Sequence, residues 1–291
     1  MKFSPNQALW LALFITAGSP IAGKFTVDYM SPSFVLIFGT LTTLLIYAPW
    51  LTKNKLWGKL FDKEIRSRLS VMGLFGTALP FLLLLIALRW TTPSNSAILN
   101  QAESVYSIIF AMIFLKEKPV FKQIIGTLMI VSGAVLILAV NGYTPMWKGD
   151  LLVLATVWMF QVSHIAAKKL PADISVDFIT AARGFYGFIW SAVIALIGLP
   201  LGMDITFKIS GPSFISLLYI AVFVYTLRNK FWYEAIRNMP LAKATAVILS
   251  YPVFTYVISV AVGFDEIRLY QICGLILALS GAYMVTLVKK A

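Results

Sequence analysis

Apolar runs near or above ~18 residues, the length that crosses a bilayer, follow one another from end to end of this 291-residue chain. Leu69–Leu88, Val120–Val140, Val176–Ile197 and Ala242–Val262 are examples. No stretch is left over for a soluble domain. Only 12% of the residues are charged, against about one-quarter in soluble domains. The expectation is a single all-α polytopic membrane protein.

Apolar length and punctuation divide the chain into ten expected spans. They run roughly Ala8–Phe25, Ser33–Trp50, Leu69–Leu88, Ser94–Leu115, Val120–Val140, Leu151–Ala167, Val176–Ile197, Ser213–Ile236, Ala242–Val262 and Tyr270–Val288. Pro32, Pro93, Pro119, Pro171, Pro212 and Pro240 fall between spans, where a missing N–H does least harm. Gly18-Ser19-Pro20 and Pro80 fall inside spans and predict kinks.

The formal charge of +12 is unevenly placed. Lys53, Lys55, Lys59, Lys63, Arg66 and Arg68 fill one loop, Lys116, Lys118 and Lys122 another, and Lys289 and Lys290 the C-terminus. These alternate with loops poor in base, as cytoplasmic loops do under the positive-inside rule. The pattern places both termini in the cytoplasm, for an integral protein of a bacterial inner membrane. It offers no basic soluble surface for nucleic acid. One cysteine, Cys273, forms no intramolecular disulfide or thiolate metal site. The first apolar segment lacks a small-residue cleavage site and reads as an uncleaved span.

The chain repeats itself. Q-I-I-G-T-L-M-I-V-S-G-A from Gln123 answers Q-I-C-G-L-I-L-A-L-S-G-A from Gln271, an offset of 148 residues. The same offset carries Ala87 onto Ala235, Arg89 onto Arg237 and Glu117 onto Asp265. The boundaries follow as 1–146 and 147–291. Five spans per copy is an odd number, so the second copy should be inverted in the membrane, as in many alternating-access transporters.

The two stretches F-L-K-E-K-P-V-F-K-Q-I-I-G and F-D-E-I-R-L-Y-Q-I-C-G resemble the EamA repeat of the drug/metabolite transporter superfamily. Tyr251-Pro252 stands where that family usually has proline, and Glu103-Ser104 takes its place in the first copy. Arg183 is similar to an arginine common in the repeat's second helix, with Gly39 as its expected first-copy counterpart. Lys24 and Lys168 are similar to a lysine often found at the end of its first helix. The resemblance covers nearly the whole chain. It implies a ten-helix transporter fold and leaves open substrates from amino acids to nucleotide-like metabolites, sugar conjugates, amines and drugs.

Charges inside the spans point to a polar cavity, because an unpartnered charge in hydrocarbon costs several kcal/mol or more. Ser96, Asn100, Glu103 and Ser107 share one helix face, and the offset pairs Glu103 with Tyr251 on the opposite wall. Tyr225, Arg228 and Trp232 share a face of the eighth span. Arg228 lacks a local acid, so its expected partner is Glu103 or a substrate carboxylate or phosphate. Lys230 and Glu234 sit at i,i+4 and read either as a mutual pair or as site residues, with Arg237 a second partner for Glu234. Gln161, His164 and Lys168 share a face of the sixth span, with Trp158 a turn earlier. His164, the only histidine, reads as a packing residue or a pH-sensitive one; Arg183 reads as a site residue or an interhelical anchor. Trp10, Phe14, Trp158, Tyr225, Trp232 and Tyr251 are candidate aromatic walls. Lys116-Glu117 and Asp265-Glu266 read as gate or capping charges.

Mixed charges in one cavity favour a zwitterion, so the expected function is secondary transport of an amino acid or related metabolite. No cofactor or metal is called for, and Glu103 and His164 are the candidates for proton coupling. The rival solutes are a nucleoside-containing metabolite such as S-adenosylmethionine, and an amine or drug for export. The rivals of another class are a lipid scramblase and an intramembrane enzyme. The enzyme lacks H-E-x-x-H, G-x-S-x-G and paired aspartates within helices.

Overall fold

The computed structural model describes residues 3–91, 96, 99–138, 145–261 and 269–287. The expected span ends Ser94, Val140, Val262 and Val288 lie outside the described residues, as do Pro93, Asp265, Glu266, Arg268, Lys289 and Lys290.

Among the described residues the chain forms ten apolar helices. These are α1 (Pro5–Val27), α2 (Pro32–Lys53), α3 (Arg66–Trp90), α4 (Ala102–Leu115), α5 (Phe121–Leu138), α6 (Trp147–Lys168), α7 (Val176–Gly198), α8 (Gly211–Asn238), α9 (Leu241–Ile248, then Tyr251–Ala261) and α10 (Leu269–Thr286). Seven are long and apolar enough to cross a membrane, and α4, α5 and α10 are shorter. Leu196, Leu201 and Ile215 are about seven-tenths exposed or more, which suits side chains facing acyl tails.

Local chemistry sets the helix starts. Ser31 and Ser175 accept the backbone N–H of Phe34 and Phe178, each three residues on, as N-caps do. Ser210 and Ser213 cap each other reciprocally at the start of α8. Connections after even-numbered helices meet one another at one end of the bundle: Lys168, ending α6, pairs with Glu117 after α4 at 2.8 Å, and Lys59 with Asp173 at 3.6 Å. Connections after α1 and α7 meet at the other end, where Ser31 donates to the Thr206 carbonyl at 2.8 Å. Helices that each cross the bundle give this alternation.

Gly126 of α5 packs against Gly281 and Val285 of α10, and Gly133 against Gly274 and Ala278. Numbers rise along one helix as they fall along the other, so the pair is antiparallel. The 148-residue offset makes Gly126 the counterpart of Gly274 and Gly133 that of Gly281. Each copy's last helix therefore meets its own counterpart about a pseudo-two-fold axis. The pairing of α1 with α8 and of α6 with α3 obeys the same symmetry. Gly39 meets the Tyr225 ring and Gly187 meets Thr77, again partners at an offset of 148. Gly39 therefore answers Gly187. The position answering Arg183 is the buried Val35 and not the expected Gly39.

Two expected continuous spans are interrupted. A turn at Gln101 separates α4 from the helical residues before it, and Leu249-Ser250 separate the two parts of α9. These breaks are counterparts under the offset, and they touch: Gln101 Nε2 donates to the Leu249 carbonyl at 3.3 Å. Breaks of this kind at mid-membrane are where transporters place solute and ion sites.

The expected kinks also take definite forms. Pro80 has no N–H for the Gly76 carbonyl four residues back. The backbone widens there into a π-helical stretch, Leu74–Ala78, and the Arg183 guanidinium takes the stranded Gly76 oxygen. Pro20 likewise strands the Thr16 carbonyl, which the Ser19 hydroxyl takes at 2.7 Å. A second π-helical stretch, Tyr219–Leu227, spans the equivalent part of α8.

Candidate functional site

A cavity of about 160 Å³ lies between α1, α3, α4, α6, α8 and the break in α9. Ser96, Asn100 and Glu103 all line it, although the turn at Gln101 falls between Asn100 and Glu103. Thr16 and Ser19 of α1, Tyr225 and Arg228 of α8, and Tyr251 complete its polar lining.

Glu103 stands in the first turn of α4, just past the break. Its Oε1 accepts from Gln161 Nε2 at 2.7 Å and lies 4.0 Å from His164 Nδ1. Arg228 leaves the C-terminal end of the π-helical stretch of α8. Its Nε donates to the Val224 carbonyl at 3.3 Å, and its Nη2 to Asn229 Oδ1 at 2.8 Å. Asn229 is itself held by the Tyr225 carbonyl at 2.6 Å. The guanidinium carbon lies 5.7 Å from the Phe81 ring centre, in cation–π range.

The expected Glu103–Arg228 ion pair is not formed. The amide of Gln161 takes the carboxylate, and among the described residues Arg228 has no carboxylate within ion-pair distance. The site therefore presents an acid and a base from opposite elements without direct contact between them. Tyr251 and Asn100 both line the cavity. The buried Tyr225 hydroxyl has no hydrogen-bond partner among the described residues.

Other expected site residues lie elsewhere. His164 and Trp232 are buried against each other, ring centres 4.9 Å apart, one layer behind Glu103. Trp158 packs on Phe75 at 5.9 Å, while Phe14 is half exposed and packs with Trp10 and Phe254. None of these lines the cavity. Arg183 is also outside it. It donates to Thr77 Oγ1 at 2.7 Å, to Tyr233 Oη at 2.8 Å and to the Gly76 carbonyl, and so ties α7 to α3 and α8. Lys230 pairs with Asp177 of α7 at 2.7 Å and not with Glu234. Arg237 donates to the Leu170 and Pro171 carbonyls at 2.7 Å each, capping the end of α6 rather than serving Glu234. Neither Lys230 nor Glu234 lines the cavity.

Sequence reasoning missed Thr16 and Ser19, though their i, i+3 polar spacing inside an apolar span was a usable signal. It also missed Phe81, Leu84, Leu85 and Leu88 of α3 and Phe160 of α6. An apolar side chain facing a cavity and one facing lipid look alike in sequence. Among the described residues no cluster of His, Cys, Asp or Glu could hold a metal ion.

The Lys168–Glu117 pair does more than join two loops. Lys168 Nζ also donates to the Met239 carbonyl at 2.8 Å, and Glu117 accepts the Leu241 N–H at 2.9 Å. One ion pair thus binds the ends of α4 and α6 to the start of α9, a helix N-terminus where a carboxylate is electrostatically favoured.

The sequence profile of the EamA-like transporter family matches residues 6–139 and again residues 147–287. An uncharacterized transporter of Archaeoglobus fulgidus is 23% identical, over 98% of this chain and 98% of its own length. Uncharacterized transporters YyaM and YetK of Bacillus subtilis are 23% and 25% identical, over 89% and 97% of this chain and 85% and 86% of their own lengths. A solved crystal structure superposes with a TM-score of 0.78 over 96% of this chain and 95% of that one, at 16% identity. That likeness is one of fold alone.

Proposed function

Because this chain belongs to the EamA-like transporter family, and is on that ground an integral membrane transporter, we propose that it carries a small zwitterionic metabolite, an amino acid or close relative, by alternating access. One observation carries the reading: Glu103 and Arg228 line the same cavity and are not joined to each other. Two opposite charges held apart by neutral partners can each receive the complementary group of a solute. A fixed guanidinium suits a carboxylate bidentately, and Glu103 suits an ammonium group. A simple cation would meet Arg228 in the same space and a simple anion would meet Glu103.

The halves 1–146 and 147–291 rock about the touching breaks of α4 and α9, exposing the cavity to each side in turn. In this reading the chain sits in a bacterial inner membrane with both termini cytoplasmic. The Lys168–Glu117 pair is then the latch of the cytoplasmic face. Lys168→Met should make cysteines placed along the cytoplasmic half of α4 react at least about tenfold faster with a water-soluble maleimide. Unchanged labelling removes the latch. Glu103, with His164 behind it, is the candidate for proton coupling, and acid-outside vesicles should then accumulate solute.

Counterflow in proteoliposomes tests the main reading. Preloaded amino acid should drive uptake of labelled amino acid, and Glu103→Gln should cut that flux about tenfold or more. Truncating a charge-assisted contact to a neutral one costs about 1.5 kcal/mol or more, and 1.4 kcal/mol is tenfold. Full flux in Glu103→Gln for every zwitterion carried would end the assignment.

A further inference from the structure

We propose that the solute's side group is apolar: the site accepts amino acids with aliphatic or aromatic side groups and rejects those with charged or hydroxylated ones. This rests on the zwitterion reading and adds to it which zwitterions enter. The observation is a division of labour between helices. The segment leading into α4 and the first turn of α4 give the cavity, among the described residues, only polar side chains, Ser96, Asn100 and Glu103, while α3 gives it only apolar ones, Phe81, Leu84, Leu85 and Leu88. The α3 residues form one stripe at i, i+3, i+4 and i+7. Leu85 and Leu88 are buried, so this stripe is a wall of the cavity and not part of the lipid-facing surface. Phe160 of α6 and Ile220 of α8 extend it.

Phe81 marks the boundary between the two regions. Its ring carries the Arg228 guanidinium at 5.7 Å, and it meets the rings of Tyr225 at 4.7 Å and Phe160 at 5.7 Å. A carboxylate held at Arg228 therefore leaves its side group beside the α3 stripe. A charged or hydroxyl group there gives up its hydration and finds no donor or acceptor on that wall. An aliphatic or aromatic group gains by leaving water. A Cβ added at Gly23 of α1, another lining residue, makes an ordinary van der Waals contact of 3.7 Å with Leu88 Cδ1, so a longer side chain there grows beside the apolar stripe.

Isothermal titration of the full chain in nanodiscs with leucine, phenylalanine, serine, glutamate and lysine tests this, with N-acetyl-leucine and leucinamide as controls lacking one charge each. Leucine and phenylalanine should bind about tenfold or more tighter than the polar three, since a methylene or two in an apolar pocket is worth about 10–200-fold. Both controls should lose binding. Polar amino acids binding as well as leucine, with both controls still failing, would overturn the apolar wall and leave the zwitterion reading standing. Either control binding as well as leucine, or no amino acid binding at all, overturns both. Gly23→Leu should weaken leucine and phenylalanine at least about tenfold while alanine changes less than about twofold; equal affinities overturn the inference. Should that variant fail to fold, Leu84→Ala should raise the preference for phenylalanine over leucine, and an unchanged ratio overturns it equally.

Discussion

Arg228→Ala should abolish measurable transport while leaving a folded, monodisperse protein. Among the described residues the guanidinium is anchored by the Val224 carbonyl, Asn229 and the Phe81 face. Glu103 keeps its hydrogen bond from Gln161 when the guanidinium is removed. What the substitution removes is the cationic half of the site. Truncating one partner of a hydrogen-bonded charge pair in a binding site costs about 2–5 kcal/mol, which is roughly thirtyfold to several thousandfold in affinity. Arg228→Lys should recover part of the loss, because the charge returns without the planar fork. The measurement is counterflow per reconstituted molecule, alongside the thermal midpoint in detergent. Normal flux in Arg228→Ala would leave the cavity without its carboxylate-binding group. A flux lost together with the fold would show an architectural arginine instead.

Arg183→Ala should behave the opposite way, with the fold failing first. Arg183 makes three hydrogen bonds inside the bundle, to Thr77, Tyr233 and the Gly76 carbonyl that Pro80 leaves without its helical donor. Hydrogen bonds to a charged group contribute about 1.5–3 kcal/mol each, and an orphaned buried acceptor costs about 1–3 kcal/mol. The terms are not additive, yet several kcal/mol is a large part of the about 5–15 kcal/mol that separates folded from unfolded proteins. The expected result is a thermal midpoint in detergent lowered well beyond that of Arg228→Ala, with low yield. Molecules that do fold should keep solute affinity within about threefold. A stable Arg183→Ala protein with lost affinity would place this arginine in the site after all.

The two arginines show what could be read before any coordinates. Both appear in the sequence as charges inside apolar runs, and both were candidates for substrate contact. The rule that intramembrane charge is partnered or functional applies to each and cannot separate them. Partners decide, and Arg183's partners come from α3 and α8, 50 or more residues away. Lys230 repeats the point. Its i,i+4 neighbour Glu234 was the obvious local partner, yet it pairs with Asp177 of α7. Helix spacing says which side chains can meet, and packing brings a nearer carboxylate from another helix. The polar stripe of the fourth expected span was more legible: Ser96, Asn100 and Glu103 all line the cavity, although a turn at Gln101 separates the first two from α4.

Apolar length and the 148-residue echo determined the number of helices and the division into two related halves, because bilayer thickness and repeated local pattern act on local sequence. Only the tertiary structure decided that α4 and α9 break where they touch, and that Gln161, not Arg228, holds Glu103. It also decided that α3 walls the cavity with leucines. Each of these depends on which groups from distant segments come within a few ångströms. An apolar residue carries no mark in sequence of whether it will face lipid, a neighbouring helix or a solute.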